Sequence, residues 1–154
     1  MDLNFILVYV CGIAALAVAL FLMRSVSKVK VADKSMEEIS GSIKEGAMAY
    51  LFRQYKVLAV FIVVMFAVLC FTPGLGVMGA VCFLAGALLS ALSGFIGMRA
   101  AVTANVRTTS EARSGMQRAL RVAFSGGAVM GLCVVSFGVI GVASLYLIFQ
   151  NMSI

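Results

Sequence analysis

The sequence predicts an all-α integral membrane protein with four transmembrane helices, connected as two antiparallel hairpins. Two observations support this class: hydrophobic residues make up 63% of the chain, and charged residues make up only 12%. Soluble domains carry about 25% charged residues, and the mean hydropathy of +1.12 is correspondingly high. A chain of 154 residues has room for four helices of about 20 residues each, together with their connections.

Four apolar stretches account for the predicted spans, at about residues 3–23, 50–72, 76–98 and 122–149. The first, third and fourth contain no Asp, Glu, Lys or Arg. The second has a short apolar centre, residues 57–71, so it needs its flanks to reach the length of about 20 residues that crosses a bilayer. No basic residue precedes the first stretch and no A-x-A site ends it, so we expect a retained helix and not a cleaved signal peptide.

The basic residues predict the orientation of the chain. All 12 Lys and Arg residues lie in two segments, residues 24–56 and 99–121. Basic residues accumulate on the cytoplasmic side of a membrane, so both segments should face the cytoplasm and both termini should be extracytoplasmic in a multi-pass cell-membrane protein. Nucleic-acid binding would favour aromatic residues among the basic ones. Residues 99–121 contain none, so we expect no nucleic-acid partner.

Both basic segments also contain helical patterns. Ser35 with Glu38 forms the pattern S-x-x-E, and Thr108 with Glu111 forms T-x-x-E, each typical of a helix N-terminus. The first predicts one helix over residues 36–71, about 54 Å long, which exceeds the ~30 Å hydrocarbon layer and extends into the cytoplasm. The second predicts a helix that begins near Thr108 and continues into the fourth span. These extensions either anchor the helices among lipid headgroups or form a platform against other protein.

Small residues recur at four-residue intervals in the third and fourth spans. They are Gly86, Ser90 and Gly94 in the third span and Gly127 and Gly131 in the fourth. Small residues at this spacing allow close approach of helix backbones in lipid. We therefore predict that these five residues mediate helix packing, either between the two spans or against another helix.

The residue types of reactive sites are scarce in this chain. It has no histidine, and its four cysteines form no C-x-x-C pair, so we expect no metal site of the usual kinds. No acidic residue lies within any of the four apolar spans, whereas proton and cation pathways usually need one inside the membrane. The sequence thus predicts no catalytic, cofactor-binding or metal-binding residue in this segment, and a lipid bilayer as its immediate surroundings.

Two stretches carry a resemblance to a known family. They are "IKEGAMAYLFRQYKVL", residues 43–58, and "SGFIGMRAAVTANVRTTSEARSGMQRALRVAFSGGAVMG", residues 93–131. They resemble the membrane-bound, ion-translocating inorganic pyrophosphatases, and the order of spans is similar too. The resemblance implies a homodimeric, polytopic enzyme that hydrolyses magnesium pyrophosphate in the cytoplasm and pumps H⁺, Na⁺ or both. Mg²⁺ is implied as cofactor, with K⁺ as a further candidate.

The resemblance also implies a role for this segment. The family binds pyrophosphate on an inner ring of helices, and its first four helices belong to the outer ring. The chain is then expected to be the N-terminal scaffold of a much longer pump, inactive alone and in contact with the pump's remaining helices. Arg53 and Arg107 are expected to pair with carboxylates on neighbouring helices and, with Asn105, to brace the catalytic region. The alternative is an independent four-helix membrane protein that oligomerises or serves as an accessory subunit.

Overall fold

The protein is built from four long α-helices, in a computed structural model that describes residues 3–31, 33–73 and 76–152. The helices are α1 (Leu3–Lys28), α2 (Lys34–Phe71), α3 (Gly76–Ala112) and α4 (Met116–Met152). These described ranges contain no β-strand, which confirms the predicted all-α class. All four helices are long and apolar enough to cross a membrane, and each predicted span falls on one of them.

Helix α2 is continuous from the first basic segment into the second predicted span. Its 38 residues correspond to a length of about 57 Å, so the extension predicted beyond the hydrocarbon layer is present as helix. The predicted capping box at Ser35 is wrong, because α2 begins two residues earlier with Asp33 at the N-cap. Asp33 makes no side-chain capping hydrogen bond, and its carboxylate instead pairs with Arg113, the residue that follows α3.

The boundary between α3 and α4 also differs from the prediction. Thr108 and Glu111 lie inside α3, which continues to Ala112, so the predicted helix start near Thr108 is wrong. The chain turns at Gly115, whose φ of +133° is a conformation that side chains with a Cβ disfavour. The carbonyl oxygen of Gly115 then accepts hydrogen bonds from the backbone N–H groups of Arg118 and Ala119, with N···O distances of 3.2 and 3.3 Å, and these bonds start α4.

The helices pack in the spatial order α2, α3, α4, α1. Helices α3 and α4 share the most extensive contact, α1 packs mainly against α4, and α2 packs against α3. Although α1 and α2 are consecutive and antiparallel, the described residues of these two helices form no contact with each other. The chain therefore has the connectivity of two hairpins, but α1 and α2 lie on opposite sides of the α3–α4 pair.

Small and medium-sized side chains form the core of the bundle. One buried cluster contains Ala19, Ala100, Val129 and Cys133, from α1, α3 and α4. Large apolar side chains such as Phe71 and Phe124 lie outside, with 87% and 75% of their surface exposed. An apolar exterior around a small-residue core is the arrangement expected of helices that pack in lipid, where close backbone approach replaces the hydrophobic driving force.

Candidate functional site

The contacts outside the apolar core concentrate at one end of the bundle, where α1 and α3 end and α2 and α4 begin. We call it the basic end, because the two segments that contain all 12 Lys and Arg residues, residues 24–56 and 99–121, meet there. Here α3 extends past the charge-free stretch by more than three turns, from Arg99 to Ala112. This extension reaches the short connection between α1 and α2, residues 29–33.

Arg107 lies at the centre of this contact. Its Nε donates a hydrogen bond to the Val29 carbonyl oxygen at 3.1 Å, and its Nη2 donates to the Ser27 carbonyl oxygen at 3.2 Å. Its Nη1 donates to Thr103 of its own helix at 2.9 Å. The last carbonyls of a helix have no partner within the helix and carry partial negative charge. The half-buried guanidinium thus caps the C-terminus of α1.

Two further side chains at the C-terminal end of α3 extend the contact. Ser110 follows Arg107 by three residues, the spacing that keeps side chains on one face of a helix, and Arg113 is the first residue after the helix. The Ser110 hydroxyl donates to the Lys30 carbonyl oxygen at 3.5 Å. The Arg113 Nη1 lies 2.8 Å from Asp33 Oδ2. We call Arg107, Ser110 and Arg113 the α3 clamp, since together they fix the α1–α2 connection to α3.

The carboxylate partners expected for the two arginines are not found among the described residues, so that pairing stays a prediction. We expected carboxylates, but Arg107 binds backbone carbonyls. Arg53 has no ion-pair partner among the described residues, whose one ion pair is Arg113–Asp33. Arg53 is exposed on α2 and borders a surface groove. The third candidate, Asn105, is exposed on α3 and borders one groove towards α2 and another towards α4. The three residues therefore do not form one cluster.

The close approach of helices relies largely on glycines outside the predicted set. A Cβ added at Gly97 would lie 2.7 Å from Met130 Cγ, and one at Gly141 would lie 2.6 Å from Leu89 Cδ1. A Cβ added at Gly126 would overlap the Cβ of Ala104. At these positions α3 and α4 are close enough that only glycine fits without a shift of the neighbouring side chain.

The five predicted packing residues mostly line open surface. Gly86, Ser90 and Gly94 border a groove of about 380 Å³ between α3 and α4. Of these, Gly94 also approaches the hydroxyl of Tyr55 on α2, which would lie 3.4 Å from an added Cβ. Gly127 borders a second groove, and Gly131 is exposed with no atom near an added Cβ. Their packing against further helices remains a prediction.

Two buried serines are residues that the sequence reasoning missed. Ser93 on α3 and Ser136 on α4 are 4% and 0% exposed, and their hydroxyls have no hydrogen-bond partner within the described part of the chain. Ser93 lies between Ser90 and Gly94, next to the small-residue stripe of α3. Gly126 was missed as well, although it is adjacent to Gly127. The helical period identifies a stripe, but it does not identify which member of the stripe touches a neighbour.

The described residues do not present a reaction centre. No group of three His, Cys, Asp or Glu side chains within the described ranges could hold a metal ion. Helix ends, a carbonyl clamp and open grooves can position other protein or lipid, but they offer no nucleophile next to a base.

Comparison with known proteins identifies the family. The family model for inorganic H⁺ pyrophosphatase matches residues 13–154. The chain belongs to this family. It is 43% identical over 140 residues to a K⁺-insensitive pyrophosphate-energized proton pump of Methanosarcina mazei, and the match covers 91% of the chain and 21% of the pump.

Further relatives of the family differ in the ion that their names give. The chain is 46% identical to K⁺-insensitive pyrophosphate-energized proton pump 2 of Moorella thermoacetica, over 90% of the chain and 20% of the pump. It is 44% identical to a putative K⁺-stimulated pyrophosphate-energized sodium pump of Clostridium tetani, over 79% of the chain and 18% of the pump. The chain thus spans about a fifth of the length of these relatives.

Proposed function

We propose that this chain is the N-terminal, outer-ring part of a pyrophosphate-energised ion pump and serves as its scaffold. Membership of the inorganic H⁺ pyrophosphatase family, over a segment that corresponds to about a fifth of its relatives, is the observation that carries the proposal. In this proposal the remaining helices bind pyrophosphate and Mg²⁺, and K⁺ where a member needs it. They also carry H⁺ or Na⁺ across the cell membrane, and the complete pump is a homodimer.

The α3 clamp is the part of the scaffold that we propose braces the catalytic region. We place the basic end in the cytoplasm, because basic side chains resist transfer across a membrane. Arg107 then holds the end of α1 against α3 on the side where pyrophosphate is hydrolysed. Asn105, exposed on the same extension of α3, is free to bind helices that follow α4.

A chimera provides the direct test. The corresponding first fifth of the Methanosarcina mazei pump is replaced with this chain, and the chimera is expressed beside the chain alone. We expect membranes that contain the chimera to hydrolyse pyrophosphate and to acidify vesicles on its addition. Membranes that contain the chain alone should do neither. The measurements are phosphate release and the quenching of a pH-sensitive dye.

Two results would contradict the proposal. Hydrolysis of pyrophosphate by the chain alone would show that it contains a reaction centre. A chimera that inserts and dimerises like the parent pump but neither hydrolyses nor transports would show that this segment does not serve as its scaffold. The alternative, an independent four-helix protein, would gain support if the chain alone formed a stable oligomer that the rest of the pump did not disrupt.

A further inference from the structure

A surface groove on α2 has a cationic part nearer the N-terminus of the helix and an apolar part that follows it. Its volume is about 540 Å³. Its lining consists of Tyr50, Arg53, Gln54, Val57, Leu58 and Phe61. These residues follow one another at intervals of three, one, three, one and three, so they form one stripe along the helix. The polar members come first, and the apolar members lie towards the second predicted span.

This stripe lies beside the contact between α2 and the rest of the bundle. Helix α2 packs against α3 alone among the described helices, and it does so through residues such as the buried Leu51 and through Tyr55, which donates to the Ala91 carbonyl oxygen. At 100° per residue, the middle of the groove lies about a quarter turn from that contact. Val57 and Phe61 are accordingly 69% and 54% exposed.

The groove lies at the level of the bilayer where acyl chains meet headgroups. From Arg53 to the end of α2 at Phe71 the helix rises about 27 Å, close to the ~30 Å thickness of the hydrocarbon layer. With Phe71 at one boundary, Arg53 lies at the other. Val57, Leu58 and Phe61 then lie at the depth of acyl chains, and Tyr50 and Gln54 lie at or near headgroup level.

The charge of the groove selects an anionic occupant. Arg53 has no carboxylate within ion-pair distance in the part of the chain that the structure describes, and the nearest acidic residue along α2 is Glu45, about 12 Å away along the axis. Guanidinium groups bind phosphate oxygens through paired hydrogen bonds. Tyr50 and Gln54 add a hydroxyl and an amide as further donors.

We propose that this groove binds an anionic phospholipid. The phosphate of the lipid accepts hydrogen bonds from Arg53, Tyr50 and Gln54, and one acyl chain lies along Val57, Leu58 and Phe61. The exposed α2 face thereby gains a specific lipid in place of a protein partner. This inference goes beyond the proposed pump and applies equally to the chain by itself.

Tryptophan fluorescence provides the test, because the chain contains no tryptophan. The chain with Phe61→Trp is reconstituted in vesicles of phosphatidylcholine and phosphatidylglycerol, with bromine on the acyl chains of one lipid at a time. We expect brominated phosphatidylglycerol to compete about fivefold better than brominated phosphatidylcholine for contact with Trp, as about 1 kcal/mol for one basic residue near an anionic surface implies. Free phosphate carries no bromine and cannot produce this signal.

The controls separate the groove from the general surface. Leu88→Trp places the probe on α3, where the native leucine is 60% exposed, and should show no preference between the lipids. Arg53→Gln in the Phe61→Trp chain should abolish the preference, Arg53→Lys should retain part of it, and Arg118→Gln should leave it unchanged. Quenching of Trp at position 88 and helix content by circular dichroism verify that each variant is folded.

Three outcomes would overturn the proposal. One is equal quenching of the Phe61→Trp chain by the two brominated lipids. Another is a preference for phosphatidylglycerol that survives Arg53→Gln. The third is a Trp at position 61 that neither lipid quenches while the probe at position 88 is quenched, which would mean that protein covers the groove.

Discussion

Two adjacent glycines on α4 have opposite surroundings. A Cβ added at Gly126 would overlap the Cβ of Ala104 on α3, whereas one added at Gly127 would meet no atom within 4 Å. The Cβ of Ala104 cannot rotate away, so the backbones of α3 and α4 would have to separate. Inserting a methyl group into a tightly packed contact typically costs about 1–3 kcal/mol.

The free energy of unfolding of Gly126→Ala should therefore be about 1–3 kcal/mol lower than that of Gly127→Ala. The measurement is unfolding of the purified protein in mixed micelles of rising denaturing-detergent content, followed by circular dichroism. The two variants carry the same substitution one residue apart, so helix propensity cancels. Equal destabilisation by both would contradict the contact between Gly126 and Ala104.

For single residues, the sequence predicts which residue types make helix contacts better than it predicts the partners of those contacts. The four-residue spacing of Gly86, Ser90 and Gly94 is visible in the sequence, but these residues border a groove. Arg107 was a candidate on sequence grounds, yet its carbonyl partners belong to a helix end almost 80 residues away. Partners of this kind depend on how α1 and α3 cross, and no local pattern specifies that.

At the scale of elements, the α3 clamp gives α1 a defined end. Arg107 binds two carbonyl oxygens at the C-terminus of α1, and hydrogen bonds to charged groups contribute about 1.5–3 kcal/mol each. Arg107→Gln should consequently loosen the last turn of α1 and the connection that follows. Arg113 contributes less, because its pair with Asp33 is more than half exposed on both sides and exposed pairs contribute about 0–1 kcal/mol.

Hydrogen exchange measured by mass spectrometry can resolve this difference. In the Arg107→Gln variant, amides of residues 25–31 should exchange at least about tenfold faster, the factor that corresponds to 1.4 kcal/mol. Arg118→Gln is the matched control, because Arg118 is exposed at the start of α4 and its side chain forms no ion pair with the described residues. Unchanged exchange in the Arg107 variant would show that α1 ends independently of α3.

The lengths of the elements follow from the sequence more closely than their boundaries do. Helix α2 was predicted over residues 36–71 and extends over Lys34–Phe71, because no proline interrupts its periodicity. The start of α4 was placed too early, because Thr108 and Glu111 match a capping pattern but lie inside α3. There the Thr109 hydroxyl donates to the Asn105 carbonyl oxygen within the helix, at 3.0 Å. A hydroxyl near a glutamate is compatible with both positions, and Gly115 decides between them.

At the scale of the whole molecule, α1 and α2 are separated by the α3–α4 pair. A sequence pattern predicts four spans and their alternating direction. It does not predict which of four similar apolar helices pack against each other. The separation leaves one side of α2 without a contact to the described residues. Both the bracing role and the lipid site depend on which side of the membrane this basic end faces.

Cysteine labelling in intact cells determines that orientation. The four native cysteines, none of which forms a disulfide in the described structure, are replaced with alanine. Pro73→Cys then marks the α2–α3 connection, and Ser114→Cys marks the α3–α4 connection at the basic end. Since basic segments resist transfer across the membrane, a membrane-impermeant maleimide should label Pro73→Cys from outside. It should label Ser114→Cys only after the membrane is permeabilised.

Equal labelling of both variants after permeabilisation shows that both thiols are reactive, so a difference in intact cells reports sidedness alone. The reverse pattern would place the α3 clamp and Arg53 outside the cell. In that case the clamp could not support a cytoplasmic site for pyrophosphate. The groove on α2 would face the outer leaflet, where the attraction between Arg53 and the anionic lipids of the cytoplasmic leaflet would be lost.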